Sequence, residues 1–403
     1  MCNTLEELMI QLGIAKYPER WEGLFDRAVS EASNLDILKE NYLTQLNKEY
    51  SVFSSYFDTI IRAAEEIRRS YNLSVFVTLL TLAMEDRKLI YKDMESFEPP
   101  LQLHGEGGVG ADIAMLFPYF RFVEDMISYL KHRNVPESVV SATVHELEYF
   151  ISEGIPVLGR PLMTKTYFSW GQLFVDHRII RIERFNLEFS DHCRIKAAVF
   201  RSCDGDIIAM PDKIMIHRSG HALGSSGFED DEGSYYAEVT QTDDYFEGYG
   251  ITEDGKCTGE RIRFPKDKYR KVLSYGDPVI NIHIPSFDDL SPDYCTHSFE
   301  IADRILKDCF TDFQYRGYVC HSWLLEPQLK DLLKPGSNIV SFRNRFTIVP
   351  TKSDDKAVFA NAFNRLPVDN YSKLEPKTSL ERNIKEHYLA GKHLYEYNGF
   401  FFI

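Results

Sequence analysis

Asp277-Pro-Val-Ile-Asn-Ile-His-Ile-Pro285 alternates strictly, with Ile280, Ile282 and Ile284 on one side and Asn281 and His283 on the other. A period of two is that of a β-strand, so one face is core and the other carries an amide and an imidazole. The next apolar run changes period. In Ser291-Pro-Asp-Tyr-Cys-Thr-His-Ser-Phe-Glu-Ile-Ala-Asp-Arg-Ile-Leu306, the residues Phe299, Ala302, Ile305 and Leu306 form a helical stripe. Ser291 suits the N-cap, Pro292 the first turn and Asp293 the positive end of the helix dipole. Gly317-Tyr-Val-Cys-His-Ser-Trp-Leu-Leu325 returns to strand, and a short helix and a further strand through Ser337-Asn-Ile-Val-Ser-Phe-Arg-Asn-Arg-Phe346 close the unit. A strand running through a short loop into a helix N-terminus leaves backbone N–H groups free to hold an anion.

Upstream of this unit, residues 157–276 read as short strands joined by turns. Phe185, Leu187 and Phe189 alternate within Leu173–Phe189, a segment expected to hold two strands, and Asp204-Gly205 and Asp254-Gly255 mark turns. Arg261-Ile-Arg-Phe-Pro-Lys-Asp-Lys-Tyr-Arg-Lys271 is the one strongly basic segment. It is expected to be a solvated, partly helical surface, with Lys268 and Arg270 able to offer charge to phosphates. Residues 1–153 carry helical stripes instead. Thr4 and Glu7 form a capping box, and Leu73, Phe76, Val77, Leu80 and Met84 fall at helical spacing. Gly154 and Pro156 end the last of these helices. The expected division is therefore a helical domain over 1–153 and a β-rich domain over 154–403, an α+β chain. Thr378 with Glu381 caps a final helix, and Gly399-Phe-Phe-Phe-Ile403 is a closing strand.

Net charge is −15 over 403 residues, which argues against nucleic acid or an anionic membrane as a partner. No window is long and apolar enough to span a bilayer. The seven scattered cysteines form no C-x-x-C pair, which fits reduced thiols in the cytoplasm. Metal-ligand spacings are absent and no metal is expected: His145-Glu146 lacks a second histidine four positions after the first, Tyr149 standing there, and reads as a charged helix face. Gly105-Glu-Gly-Gly-Val-Gly110 has the glycines of a dinucleotide loop but no buried strand before it, so it reads as a loop.

Tyr275-Gly-Asp277, His283-Ile-Pro285, Ser298 through Ala302, Cys320-His-Ser-Trp-Leu-Leu325, Ser337-Asn-Ile339 with Phe342 and Phe346, and Thr378-Ser-Leu-Glu-Arg382 together span 274–403. In combination they resemble a bacterial acyltransferase family that joins a helical N-terminal domain to a GNAT-like C-terminal domain. The resemblance implies a mixed β-sheet with flanking helices and transfer of an acyl group from acyl-CoA to an amine of a small molecule or peptide. It implies a thioester held between two splayed strands, 278–285 and 317–325, with the donor against Ile284, Ser286 and Ser291. His283 would act as base, and Ser322 or Cys320 as acid. One departure stands out. GNAT enzymes carry a glycine-rich pyrophosphate loop between that strand and that helix, whereas Ser286-Phe-Asp-Asp-Leu290 has no glycine and two acids. Three readings follow: an acyl-CoA-dependent N-acyltransferase, a catalytically silent GNAT-like binding or regulatory module, and a hydrolase built on Cys320 and a distant histidine. Because Cys320 and His321 are neighbours on opposite faces of a strand, they form no dyad by themselves.

Overall fold

A computed structural model of the chain describes residues 2–104, 108–152, 154–286, 289–363 and 370–403. The chain folds as two compact units, Met1–Glu183 and Arg184–Ile403.

The first unit is built from helices, with one strand among its described residues, β1 (Ile179–Ile182). Thr4 opens the first helix, Leu5–Leu12, by accepting the N–H of Glu7 at 3.2 Å, while the Glu7 carboxylate accepts the N–H of Asn3 at 2.7 Å. The helix Tyr71–Glu85 has no solvent face over most of its length: every residue from Leu73 to Met84 is buried. A helix sunk on all sides must satisfy its own polar groups. Ser74, Thr78 and Thr81 do so by donating to the carbonyls of Ile67, Ser74 and Val77 at 2.7–2.8 Å. Glu148, also buried, accepts the N–H groups of Ser54, Ser55 and Tyr56 at 2.6, 2.6 and 2.8 Å, which ties down the turn leading into the helix Phe57–Arg69.

Two expectations need correction in this unit. Lys165–Val175 is a helix, capped by Thr164, so the strand pattern begins at β1 and not at Leu173. Glu146 does not lie on a charged outer face; it is 5% exposed, with the Arg181 guanidinium 3.3 Å away. Part of the glycine cluster, residues 105–107, lies outside the described residues.

The second unit carries β2 (Phe185–Ser190), β3 (Ala197–Ser202), β4 (Ile207–Pro211), β5 (Ile214–Ile216), β6 (Tyr235–Ala237), β7 (Thr240–Gln241), β8 (Tyr245–Ile251), β9 (Cys257–Pro265), β10 (Tyr269–Leu273), β11 (Val279–His283), β12 (Tyr318–Ser322), β13 (Thr347–Val349) and β14 (Tyr397–Phe401). Its main sheet runs β2, β11, β12, β14, β13. It is mixed: β11 and β12 are parallel, joined through the helix Pro292–Cys309, and the other pairs are antiparallel. One face packs under that helix, where Phe185 stacks on Phe299 at 4.6 Å and Phe299 meets Phe401 edge-on at 4.9 Å. The other face supplies Val279, Val319, Val349 and Phe400 to a second core shared with Val199 and Leu273 of β3 and β10.

The basic segment 261–271 is strand in β9 and β10, with a turn between, and is not helical. Asn338–Arg343 is a helix where a strand was expected; the strand starts at Thr347. The turn that follows this helix sets Phe346 beside Phe342, 5.1 Å apart, and both enter the core. The final helix, Ser379–Leu389, has the full capping box of Thr378 and Glu381, and β14 lies between two strands, with neither of its edges free.

Candidate functional site

The parallel pair at the centre of the sheet is paired for only part of its length. β11 and β12 match at Ile280 with Tyr318 and at Asn281 with Val319. Yet β11 keeps its ladder with β2 through His283, and β12 keeps its ladder with β14 through Ser322. Beyond Asn281 the two strands therefore follow different neighbours, and the sheet opens between Ile282–His283 and Cys320–Ser322.

His283 stands at the lip of this opening. Its Nε2 lies 2.9 Å from Oε2 of Glu188, and Asn281 Nδ2 donates to the same oxygen at 3.0 Å. The register explains the trio: Asn281 faces Glu188 across β2 and β11, and His283 faces Asn186 one diagonal step away. The Glu188 side chain is 13% exposed and that of His283 is 29% exposed, so a mostly buried carboxylate holds an imidazole that solvent still reaches. A carboxylate that fixes a histidine ring is the arrangement of an oriented proton acceptor.

The other expected residues separate into groups. Ser322 ends β12 at the opening, on the same helix-side face as Cys320; its Oγ accepts the Leu324 N–H at 3.1 Å, which leaves its own proton to donate elsewhere. Cys320 is 1% exposed, faces the helix side of the sheet and so lies on the opposite face from His283. Burial pushes its thiol up to about 12. The structure thus makes no thiol–imidazole pair from Cys320 and His283. Ile284 and Ser286 follow β11 toward the helix, Ser286 in an exposed turn; residues 287 and 288 of the acidic linker lie outside the described residues.

At the start of the helix Pro292–Cys309, the Ser291 N–H donates to Oδ1 of Asp289 at 2.9 Å, and Asn338 Nδ2 reaches the same oxygen at 3.2 Å. Bonding from Ser291, its hydroxyl foremost, and then from Asn338 holds the Asp289 carboxyl below its ordinary value. A side-chain anion therefore already sits on the first of the free N–H groups. Two arginines surround it. Buried Arg184 donates through Nε to the Asp289 carbonyl at 2.8 Å, and Arg345 donates to the Pro292 carbonyl and to Thr296 Oγ1, both at 2.7 Å.

Lys268 and Arg270 are not part of this cluster. With Arg201 and Lys266 they line a separate cleft of about 520 Å³. Arg201 lies over the Phe402 ring at 4.8 Å, and Phe402 abuts Gly317, the residue before β12. The cleft is thus at the starting end of β12, and Ser322 is at its far end, roughly 16 Å away at ~3.3 Å per residue. Glu188, Arg184 and Arg345 went unread in the sequence. Glu188 had a signal, since its neighbours Leu187 and Phe189 point inward, but its partner lies 93 residues on.

The GNAT-like C-terminal domain family matches residues 187–401. Similar solved structures include an acyltransferase mutant in complex with octanoyl-CoA, at 16% identity and TM-score 0.60 over 99% of both chains. Another is an acyltransferase in complex with decanoyl-CoA and teicoplanin, at 16% identity and TM-score 0.60 over 98% of both. A third is an acyltransferase with CoA and 10C-teicoplanin, at 17% identity and TM-score 0.59 over 98% of both. At these identities the likeness is one of fold. No curated protein matches the chain at a significant level.

Proposed function

Because the chain belongs to the GNAT-like C-terminal domain family, we propose that it moves an acyl group from an acyl-CoA thioester to the amine of a small molecule or peptide. The observation that carries this reading is the opening between β11 and β12 with the His283–Glu188 pair at its lip. In the proposed reaction His283 takes a proton from the acceptor ammonium, with Glu188 stabilising the imidazolium that results. The amine lone pair then attacks the thioester carbonyl carbon. A C–N bond forms, the C–S bond breaks, and CoA leaves as thiolate. The Ser322 hydroxyl is assigned as the relay: it hands its proton to this thiolate and takes in its place the second proton that the new amide nitrogen releases, so no alkoxide is left. Arg345, with Arg184 behind it, is assigned the pyrophosphate, doing by charge what a glycine-rich loop does by backbone N–H groups.

The relatives' structures hold octanoyl-CoA and decanoyl-CoA, which makes medium-chain donors the first to test beside acetyl-CoA. Seven free thiols fit a cytoplasmic setting, and among the described residues no helix is long and apolar enough to cross a membrane. A second reading, a silent GNAT-like module, is favoured by Asp289, which occupies the helix N-terminus and opposes a pyrophosphate there. Calorimetric titration with octanoyl-, decanoyl- and acetyl-CoA, with free CoA as control, separates the two. Micromolar binding followed by amide formation with a primary amine is expected. Binding without turnover over a panel of amines moves the assignment to the silent module, and no heat with any CoA species removes the donor altogether.

A further inference from the structure

A second cavity of about 370 Å³ lies in the Arg184–Ile403 unit; its lining includes Tyr397, which pairs with Ser322 across β12 and β14, and no step of the proposed reaction uses it. Segments far apart in sequence converge on it: the loop around His221 and Phe228, the hairpin between β8 and β9, Glu326, and the approach to β14 at His393 and Tyr395. At 370 Å³ it is at the small end of ligand pockets, which run ~300–1,000 Å³.

Its polar groups are ordered by depth. Glu326 is the deepest, 2% exposed, and its carboxylate accepts the N–H of Tyr395 at 2.6 Å and that of Gln328 at 3.0 Å. No cation lies within ion-pair distance of it among the described residues; burial pushes its carboxyl up to about 7, against the hydrogen bonds from Gln328 and Tyr395 and the more distant charge of Lys256. A carboxyl enclosed without a cation in contact is half of an ion pair. Beside it, His393 Nδ1 lies 3.0 Å from Oδ2 of Asp355, whose other oxygen accepts from Tyr388 Oη at 3.1 Å. The carboxylate accepts a hydrogen bond from Nδ1–H, a tautomer in which the lone pair is on Nε2. Thus two acceptors line the inner part of the cavity. Its outer part is cationic. Lys392 is exposed and Lys256 half-buried; among the described residues neither ammonium lies within ion-pair distance of a carboxylate, though Lys256 is near enough to Glu326 and His221 to act on both. Between them stands an aromatic wall: His221 stacks on Phe228 at 4.0 Å, with Tyr395 5.8 Å beyond. Burial first, then Lys256 and His217, lower His221 to about 4, so this wall is uncharged at neutral pH.

Acceptors within, cations at the mouth and a flat apolar wall between them describe the complement of one kind of molecule. We propose that this cavity binds a small amino carboxylate, its ammonium against Glu326 and His393, its carboxylate against Lys256 and Lys392, and its apolar body on the Phe228 wall. The arriving ammonium gives Glu326 the direct ion-pair contact that Lys256, acting from farther off, does not. This binding stands independently of acyl transfer.

The test is calorimetry on the full chain at pH 7.5 with three probes of one shape: L-phenylalanine, 3-phenylpropanoate, which lacks the ammonium, and phenethylamine, which lacks the carboxylate. L-Phenylalanine is expected to saturate with Kd below ~1 mM and to bind at least about tenfold more tightly than either comparator. Lys256→Ala, at the rim, should weaken L-phenylalanine about tenfold and leave phenethylamine unchanged. Glu326→Gln should erase the preference for L-phenylalanine over 3-phenylpropanoate. If Glu326→Gln does not fold, the rim variant and the three probes still decide. No saturable heat with L-phenylalanine to ~20 mM in folded protein, equal affinity for the three probes, or an unaffected Lys256→Ala variant would each overturn the proposal.

Discussion

Replacing His283 by glutamine is the most direct test of the reaction. Glutamine keeps a polar side chain at the lip and can still donate to Glu188, but it has no nitrogen that takes a proton at neutral pH. General-base catalysis contributes typically ~10²–10⁴ in rate, about 3–5 kcal/mol of barrier. The expected result is a fall in kcat of that size, with the KM for octanoyl-CoA within about twofold of the parent, because His283 touches the acceptor and not the donor's phosphates. Glu188→Gln should fall less, ~10–100-fold, since it removes one charge-assisted hydrogen bond of 2.9 Å and leaves the imidazole in place. The assay should follow loss of thioester absorbance together with amide product, because exposed Cys203 would consume a thiol reagent. A His283→Gln variant that forms amide at a kcat/KM within about twofold of the parent would refute the assignment, whatever its affinity for CoA.

Four further outcomes are expected. Arg345→Ala should raise the KM for acyl-CoA ~10–100-fold, whereas Lys268→Glu and Arg270→Glu should leave it within about twofold, since their cleft is at the other end of β12. For Glu326 the folded carboxyl titrates near 7 and the unfolded one near 4.5, so the folded state holds the proton longer. Stability from this group is complete below pH ~4.5 and is lost as pH rises through 7, by about 3 kcal/mol at most; subtracting the Glu326→Gln denaturation curves from those of the parent should show that slope and no other. Titration with a thiol reagent in native buffer should modify Cys203 first and leave Cys320 unreacted until unfolding, and fast labelling of Cys320 would revive the hydrolase reading. Glu148→Ala strands three backbone N–H groups and should cost about 2–4 kcal/mol in urea denaturation with an unchanged m-value.

What the sequence reveals here is local. Thr4 and Thr378 announce their helices because a cap is a contact three residues long, and both caps form. The two faces of β11 are legible because alternation needs no knowledge of a partner. Failures begin where one segment must know another. Ile339, Val340 and Phe342 suit a strand by composition, yet the residues after Ser337 wind into a helix that puts Phe342 and Phe346 into one core. The basic segment shows that charge is clustered, not which end of a sheet it will reach. The proposed anion contacts Arg184 and Arg345 are 161 residues apart in sequence and meet only because a strand and a helix N-terminus do. Thus the imidazole was readable from its own strand, and the carboxylate that holds it was not.

β2 and β11 are neighbours in the sheet, yet the chain leaves after Ser190, builds β3 to β10, and returns at Val279. The Glu188–Asn281 contact closes a loop of 93 residues, an entropy cost of order 4 kcal/mol before any reward is collected. That cost falls on the folding transition state and grows only logarithmically with length. The turns within the excursion can therefore lengthen or shrink at little thermodynamic expense, while β3 and β10 stay bound by the core they share with Val279 and Val319 and the lip that carries His283 stays fixed by its ladder with β2. A lineage could redecorate the exposed turns of this excursion, and engineers could graft a new module at the Asp204-Gly205 turn between β3 and β4, without moving the imidazole.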